Sequence, residues 1–433
     1  MPPTGPNTRL HVAIIGGGIT GLSLAAGLKA RGVRFTVYEQ SPSFREVGAG
    51  VGLSPNAERA LGRLSAGALA AFNAVAMPNG EDYFQWVDGH GSDKVVYRLW
   101  IGEGLFRGCL RSDFVEELGR LVGTDCVSFG KDARSIAEED DGSVTITFGD
   151  GSTARADVVI GCDGIHSRTR QLLLGEANPA SHPGYTNRSC FRALIPMAAA
   201  RAAIGDHRTS TRFMYNGPGA HIITYPVGHG ASLNVLAVAS DPHPWPDAAR
   251  HTKPATAADA AAAFADWHPT ARAIVGLLPD RLDRWAVFDS FAGPAPSYVR
   301  GAVGLAGDAA HAAGPHLGSG AGFGIEDALV LAALLEAVDE VGRRGGRGDV
   351  GVLCRDALEV YNSVRYERTQ WLVGATREAC SLFHWEDPEC GSDPDKFGRE
   401  ITWRFHKIWH YDVDAMVREA LDQLAKRRGE MPN

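Results

Sequence analysis

The stretch Leu10-His-Val-Ala-Ile-Ile-Gly-Gly-Gly-Ile-Thr-Gly21 decides the fold of this 433-residue chain. Its first six residues are almost continuously apolar, as in a strand buried on both faces of a parallel sheet. Gly16-x-Gly18-x-x-Gly21 follows at once. A helical stretch then runs to Arg31 with Leu22, Ala25, Ala26 and Leu28 on its apolar side, and Gly32 suits its C-terminal cap. Phe35-Thr-Val-Tyr38 reads as a second strand, ending at Glu39. This is a βαβ unit. Gly16 permits the tight turn, Gly18 lets a pyrophosphate approach the backbone, and Gly21 lets helix and strand pack closely. The helix N-terminus offers oriented N–H groups to phosphate. Glu39, 18 residues beyond Gly21, stands where a carboxylate accepts from ribose hydroxyls. A second match, Gly346-x-Gly348-x-x-Gly351, follows Val-Gly-Arg-Arg instead of a strand and reads as part of a loop over 342–351.

Composition narrows the rest. Lys and Arg number 43 against 51 Asp and Glu, a formal charge of −8, which argues against a nucleic-acid partner. Hydrophobic residues make up 44%, enough for real cores, and the length suggests two to three domains. Seven Cys show no CxxC spacing, so neither a disulfide framework nor a metal site is expected. The Pro-rich start lacks the apolar region of a signal peptide. The longest apolar stretch, 328–338, contains Glu336 and falls short of a bilayer span. A soluble, cytoplasmic protein without a membrane anchor is the expectation. The 52 glycines are an excess, and they cluster.

Farther along, Ser143–Phe148 alternates as a half-exposed strand, Gly149-Asp-Gly151 turns it, and 157–160 is expected to return as a buried strand. Strand-like segments 190–195, 221–225 and 232–239, separated by Gly and Pro turns, suggest an antiparallel sheet inserted into the α/β body. Aromatic residues Phe264, Trp267, Trp285, Phe288 and Phe291 read as core. A buried strand at 302–306 leads to a glycine-rich segment, 307–324, and then a helix. The remainder is mostly helical, interrupted near 387–394.

FAD and NAD share the opening fingerprint, and two later segments bear on the choice. Asp163-Gly-Ile-His-Ser167 follows one strand, and Gly307-Asp-Ala-Ala-His311 follows another, continuing into Gly314-Pro-His-Leu-Gly-Ser-Gly-Ala-Gly322. Asp308 at a strand end could bond a ribityl hydroxyl, and the glycines after Pro315 would let backbone pass a flat ring. The helix beginning near Gly322 would turn its positive end toward charge on that ring. The alternative for each segment is an Asx-type turn at a sheet edge.

In order and spacing these segments resemble the class A FAD-dependent aromatic hydroxylases, with the para-hydroxybenzoate hydroxylase fold. The subgroup is the salicylate hydroxylase-like enzymes and polyketide phenol hydroxylases. The resemblance extends over nearly the whole chain. It takes in Gly48-Ala-Gly-Val-Gly-Leu-Ser-Pro-Asn56, Leu110-Arg-Ser-Asp-Phe114, Tyr361-x-x-x-Arg365-x-x-Arg368 and Ile408-Trp-His-Tyr-Asp412. It implies an α/β fold: a Rossmann-like FAD-binding domain in three parts (8–80, 106–182, 291–345), an inserted antiparallel-sheet substrate domain in two (81–105, 183–290), and a helical C-terminus (346–433). It implies FAD as cofactor, NAD(P)H as transient reductant, and a small aromatic substrate with O2 as partners, in a monomer or homodimer. Glu39 would hold the adenosine ribose, and Ala49 and Gly50 would line the cofactor. Arg111 would contact its phosphate-ribityl region, Asp308 its ribityl chain, and Gly320 and Ala321 the isoalloxazine. Asp163 joins the cofactor-binding set, and Pro315 lies in the loop lining the flavin and the substrate cavity. Leu317 and Phe323 stand where many relatives carry an amide.

The oxidant of this family is a C4a-hydroperoxyflavin, an electrophile, so the ring it attacks must be electron-rich. A phenolate satisfies this, and it needs a nearby cation at neutral pH. The resemblance places Arg192 and Tyr225 on the two strands that hold the phenolate, and Arg stays charged with planar, multiple donors. Plain hydroxylation, dearomatising hydroxylation and salicylate-type decarboxylative hydroxylation share this arrangement. Epoxidation or indole oxidation on the same fold is the alternative chemistry. His311 is expected to make a structural hydrogen bond, while His316 lies nearer the cavity.

Overall fold

The computed structural model describes residues 9–44, 49–247, 250–343 and 350–429. The apolar run forms the strand His11–Ile15, buried after its first residue. It pairs in parallel with Arg34–Glu39 on one side and Val158–Gly161 on the other. Val127–Phe129 and Val303–Leu305 extend the sheet in parallel, and Val299–Arg300 closes one edge antiparallel. The helix Ile19–Ala30 is the crossover, stopped at Arg31 with Gly32 in the left-handed region. The helix Gly320–Arg343 packs against it with nearly every residue from Gly322 to Leu335 buried. These elements share one apolar core.

Two expectations are corrected here. The strand Val144–Phe148 is followed after its turn by Thr153–Ala156, its true antiparallel partner. Val158–Gly161 instead enters the parallel sheet, because its four residues are buried on both faces and cannot serve an exposed hairpin. The loop expected over 342–351 is shorter. Gly342 lies in the helix ending at Arg343 and Gly351 in the helix Val350–Phe383, and 344–349, with Gly346 and Gly348, lie outside the described residues.

The inserted segments form an eight-stranded sheet. In order it comprises Thr252–Thr256, Arg281–Asp289, Gly184–Pro196, Ser232–Ser240, Ala220–Val227, Phe213–Gly217, Tyr83–Asp88 and Val95–Trp100. It is antiparallel except that Phe213–Gly217 runs parallel to Tyr83–Asp88, a strand supplied from far earlier in the chain. Period-two alternation gives the sheet two different faces. Phe191, Ile222, Val235 and Phe213 turn toward helices Met197–Ser210 and Pro269–Val275 and form a second core. Phe264 and Trp267 belong to that core and Phe288 to a smaller cluster. Phe291 is half exposed, so the expectation that it is core fails. It lies beyond the strand, where the Arg377 guanidinium covers it at 4.6 Å.

The other face carries Arg192, Leu236, Ile223, Met214 and Trp86 in one register row across five strands. The C-terminal helix Pro394–Trp409 closes one end, with Phe405 and Trp409 packed on Phe84 and Trp86. The last helix, Val413–Arg427, returns to the first core. Among the described residues, no helix is long and apolar enough to cross a membrane. All seven cysteines are free thiols.

Candidate active site

A cavity of about 580 Å³ lies between the parallel sheet and the inserted sheet. One end is lined by backbone-rich segments: Gly18–Thr20, Ala49–Gly52, Gly164, and the loop and helix start from Gly314 to Ala321. The far end is aromatic and aliphatic, with Phe84, Trp86, Met214, Ile223, Leu236 and Phe405. The two ends suit a large, partly polar cofactor and a small apolar ring.

The first end takes its shape from glycines. Gly16 has φ +104°, and a Cβ there would press into the Cys162 carbonyl. A Cβ on Gly21 would overlap the Gly16 carbonyl oxygen, so this glycine is required by packing alone. At Gly18 the nearest atom to such a Cβ is an Arg111 nitrogen at 3.8 Å, leaving the start of the helix open to a phosphate. Gly18 caps that helix with no side-chain bond and no acidic residue in its first turn. Its leading N–H groups therefore remain available to an anion. The Glu39 carboxylate is oriented by the amides of Gly17 and Ser41, each at 2.7 Å. Asp308 begins a short helix and faces the cavity together with Arg111. Burial pushes its carboxyl up, while His311 and Arg111 pull it down. Pro315, Gly320 and Ala321 line the same wall, at the N-terminus of Gly320–Arg343. Gly48 lies outside the described residues.

Asp163 is placed differently from these. Its carboxylate accepts from the Thr169 amide and hydroxyl, at 2.8 and 2.9 Å, and from the Ser167 hydroxyl. It organises the start of helix Arg168–Leu174, and its neighbours Cys162 and Gly164 line the cavity instead.

Arg192 and Tyr225 both reach the cavity. The Arg192 guanidinium lies 3.4 Å from the Trp285 ring centroid, a stacked placement that holds its plane. Tyr225 is buried opposite Asn234, whose side chain accepts from the Gly50 amide at 2.9 Å. A Cβ on Gly50 would meet the Tyr225 hydroxyl at 2.6 Å, so glycine permits the strand Gly50–Leu53, which lines the cavity, to touch the inserted sheet. Burial pushes the Tyr225 hydroxyl up to about 12, against the pull of Arg212. Tyr225 is therefore a neutral donor at physiological pH.

His311 makes the expected structural bond: its Nε2 lies 2.6 Å from Asp327 Oδ2, and both are buried. Asp327 also accepts from the Gly307 amide and from Arg365 Nε. Glu326 accepts from Arg365, Arg368 and Asn56. Burial works against both carboxylates, but the cations beside them win and hold both below the usual range. Phe323 and Leu317 are fully buried; Arg368 lies 4.5 Å over the Phe323 ring.

Arg212, beside Tyr225, is a cavity residue that nothing in the sequence singled out. His316, expected near the cavity, lies on its lining and is joined by His221 and Cys380, which the sequence did not single out; the ligand atoms of the three lie within 4.8 Å of one another, with His384 Nε2 2.9 Å from His221 Nδ1. Burial pulls His316 down to about 3, and pulls His221 and His384 down as well. These imidazoles are neutral when folded but protonate near pH 6.5 when unfolded, so acid favours the unfolded chain. Stability is fully present above about pH 6.5 and is lost as pH falls toward the folded values. Denaturation midpoints measured at about pH 7.5 and about pH 5 should therefore fall with acidification, and less steeply in His384→Gln.

The family model "FAD binding domain" matches residues 109–346, and an NAD(P)-binding Rossmann-like domain matches residues 14–45. The chain is 47% identical to an FAD-dependent monooxygenase of Monascus ruber, pigN, covering 97% of this chain and 98% of that one. It is 38% identical to a salicylate hydroxylase of Sarocladium schorii, asL1, over 98% and 92% of the two chains. Among solved structures, a salicylate hydroxylase substrate complex superposes with a TM-score of 0.82 at 32% identity, covering 95% of this chain and 98% of the other.

Proposed function

Because the chain belongs to the FAD-dependent monooxygenases of the salicylate hydroxylase-like family, we propose that it hydroxylates a phenolic aromatic with NAD(P)H and O2. The observation that carries this reading is the pair Arg192 and Tyr225 facing one cavity with the glycine-lined wall. The residues present fit FAD. Gly18 leaves the helix N-terminus open, we assign Glu39 and Asp308 to ribose and ribityl hydroxyls, and Arg111 adds a cation near Gly18 and Asp308. When bound, FAD supplies the electron storage and the oxygen activation that no side chain provides.

The protein's part is binding, orientation and charge. Gly16, Gly18 and Gly21 shape the phosphate turn, and Ala49, Gly50, Pro315, Gly320 and Ala321 give the ring a flat backbone wall. Arg192 neutralises the phenolate oxygen, and Tyr225 donates a hydrogen bond to it. Burial of a bare phenol would raise its pKa, and the fixed cation reverses that effect. The apolar far wall keeps water from the reacting carbon. Overall, one oxygen atom enters the ring and the other leaves as water, with NAD(P)H giving two electrons. An attacked carbon that bears hydrogen yields a phenol, one that bears an alkyl group a dearomatised hydroxy-dienone, and one that bears a carboxylate releases CO2.

The test is direct. The purified chain should show an oxidised flavin spectrum, and phenols, resorcinol aldehydes or salicylates should stimulate its NAD(P)H consumption. Product mass should exceed substrate mass by one oxygen, or by one oxygen less CO2. A flavin-loaded protein that consumes no NAD(P)H with any phenol, but does so with an alkene or indole, would refute the phenolic reading.

A further inference from the structure

Among the described residues, one group of imidazoles and a thiol is close enough to share a metal ion. The ligand atoms of His221, His316 and Cys380 lie within 4.8 Å of one another, and all three side chains are buried. They come from the strand Ala220–Val227, the turn Pro315–Leu317 and the helix Val350–Phe383. His316 Nδ1 is buried with no hydrogen-bond partner in the protein. A buried polar atom in that state is costly, and a bound ion nearby removes the cost.

The surroundings suit a metal. His384, four residues beyond Cys380, places Nε2 2.9 Å from His221 Nδ1. Its own Nδ1 lies 3.4 Å from the Ser240 hydroxyl, which donates to Glu386. This chain of polar groups orients the His221 ring, as outer partners orient a metal-binding imidazole. A second cavity, of about 140 Å³, is lined by His316 and Cys380 with Arg188, Asp289 and Arg377. It gives an ion a path of entry and room for a water ligand. Arg188 is paired with Glu386 and Arg377 with Asp289, so neither guanidinium opposes a cation without a counter-charge.

We propose that His221, His316 and Cys380 bind a zinc ion, with water in the fourth position and His384 as a positioning residue for His221. Two imidazoles and a thiolate form a borderline-soft set that suits tetrahedral Zn2+. It lacks the oxygen ligands that Mg2+ and Ca2+ require. Bonds of about 2.0 Å to nitrogen and about 2.3 Å to sulfur set ligand atoms roughly 3.3–3.8 Å apart, so small side-chain rotations close the site. Binding forms a Zn–S bond, breaks the Cys380 S–H bond and releases that proton to solvent. The ion joins the inserted sheet, the helix Val350–Phe383 and the turn at Pro315. His316 lines both cavities, so the ion braces the wall between them. This role is structural and does not depend on which aromatic is hydroxylated.

The test uses the FAD-loaded full chain. As purified it should hold zinc and FAD in equal amounts. After chelation and dialysis it should take up one equivalent of Co2+, with intense tetrahedral bands at longer wavelength than oxidised flavin absorbs. One equivalent of Zn2+ should erase these bands and raise the melting temperature, because it binds only the folded chain. Cys380→Ser and His316→Gln should each weaken Co2+ uptake at least about tenfold. His406 and His410, with ring centroids 4.6 Å apart at the end of the helix Pro394–Trp409, are where an adventitious ion would sit. His410→Gln should therefore change nothing. The proposal is overturned if the wild type takes up no Co2+, or shows only the weak bands of an octahedral ion. It is equally overturned if uptake survives unchanged in Cys380→Ser or His316→Gln, or is lost in His410→Gln. Copper in place of zinc in the purified protein overturns the choice of ion. The wild-type spectrum decides by itself should a variant fail to fold.

Discussion

Replacing Arg192 by Ala should lower phenol-dependent kcat by about 10²- to 10³-fold, the size of effect seen when one preorganised electrostatic partner is lost, while FAD stays bound. The reason lies in what remains. Tyr225, pushed up to about 12 by burial, donates a hydrogen bond but carries no charge. On the proposed reading, Arg192, stacked on Trp285, supplies the charge that keeps a buried phenol ionised. Without it the ring stays protonated and electron-poor at neutral pH. Two readouts separate this from a merely structural loss. Raising pH toward that of a free phenol, about 10, should restore part of the rate. Arg192→Lys should recover charge without the planar fork and give intermediate turnover. A loss independent of pH, or unchanged turnover, removes Arg192 from the chemistry.

Arg365→Ala should destabilise the protein by about 3–5 kcal/mol, the range for breaking a buried ion pair from one side. Arg365, Glu326 and Asp327 are all fully buried. Arg365 bonds both carboxylates at 2.7 Å, and its loss leaves Asp327 to His311 and the Gly307 amide. Arg368 still faces Glu326, so the heavier burden falls on Asp327. Because Asp327 tethers the first turn of the segment 307–319, which lines the cofactor end, FAD affinity should fall together with stability. Denaturant titration and FAD release followed by fluorescence test both. Arg365→Lys should lie between the two, because a point charge cannot serve two carboxylates as a guanidinium does. Equal stability of Arg365→Ala and the parent would refute the account.

The local motifs were legible because short-range sterics set them. Gly21 packs on the Gly16 carbonyl within one βαβ unit, and alternation in 143–148 announces a strand whatever lies beside it. The same locality misled at 157–160, where a turn suggested a hairpin but burial on both faces drew the strand into the parallel sheet. It also misled at Phe291, an aromatic beyond the strand end, half exposed beside Arg377 of the helix Val350–Phe383. Asp163, expected among the cofactor-binding residues, accepts bonds from Thr169 and Ser167, six residues or fewer away.

Arg212 could not be singled out at all from the chain. Nothing around it in sequence marks it, and its meaning comes from lying next to Tyr225, Phe84 and Phe106, up to about 130 residues away in sequence. The His221, His316 and His384 cluster is likewise assembled from three distant segments. Sequence therefore carried the cofactor fold, whose requirements are backbone conformation and close approach within short stretches. The three-dimensional arrangement alone brought charges together and left Arg212 without a counter-ion among the described residues, because burial and pairing are properties of the register between strands and not of any one strand.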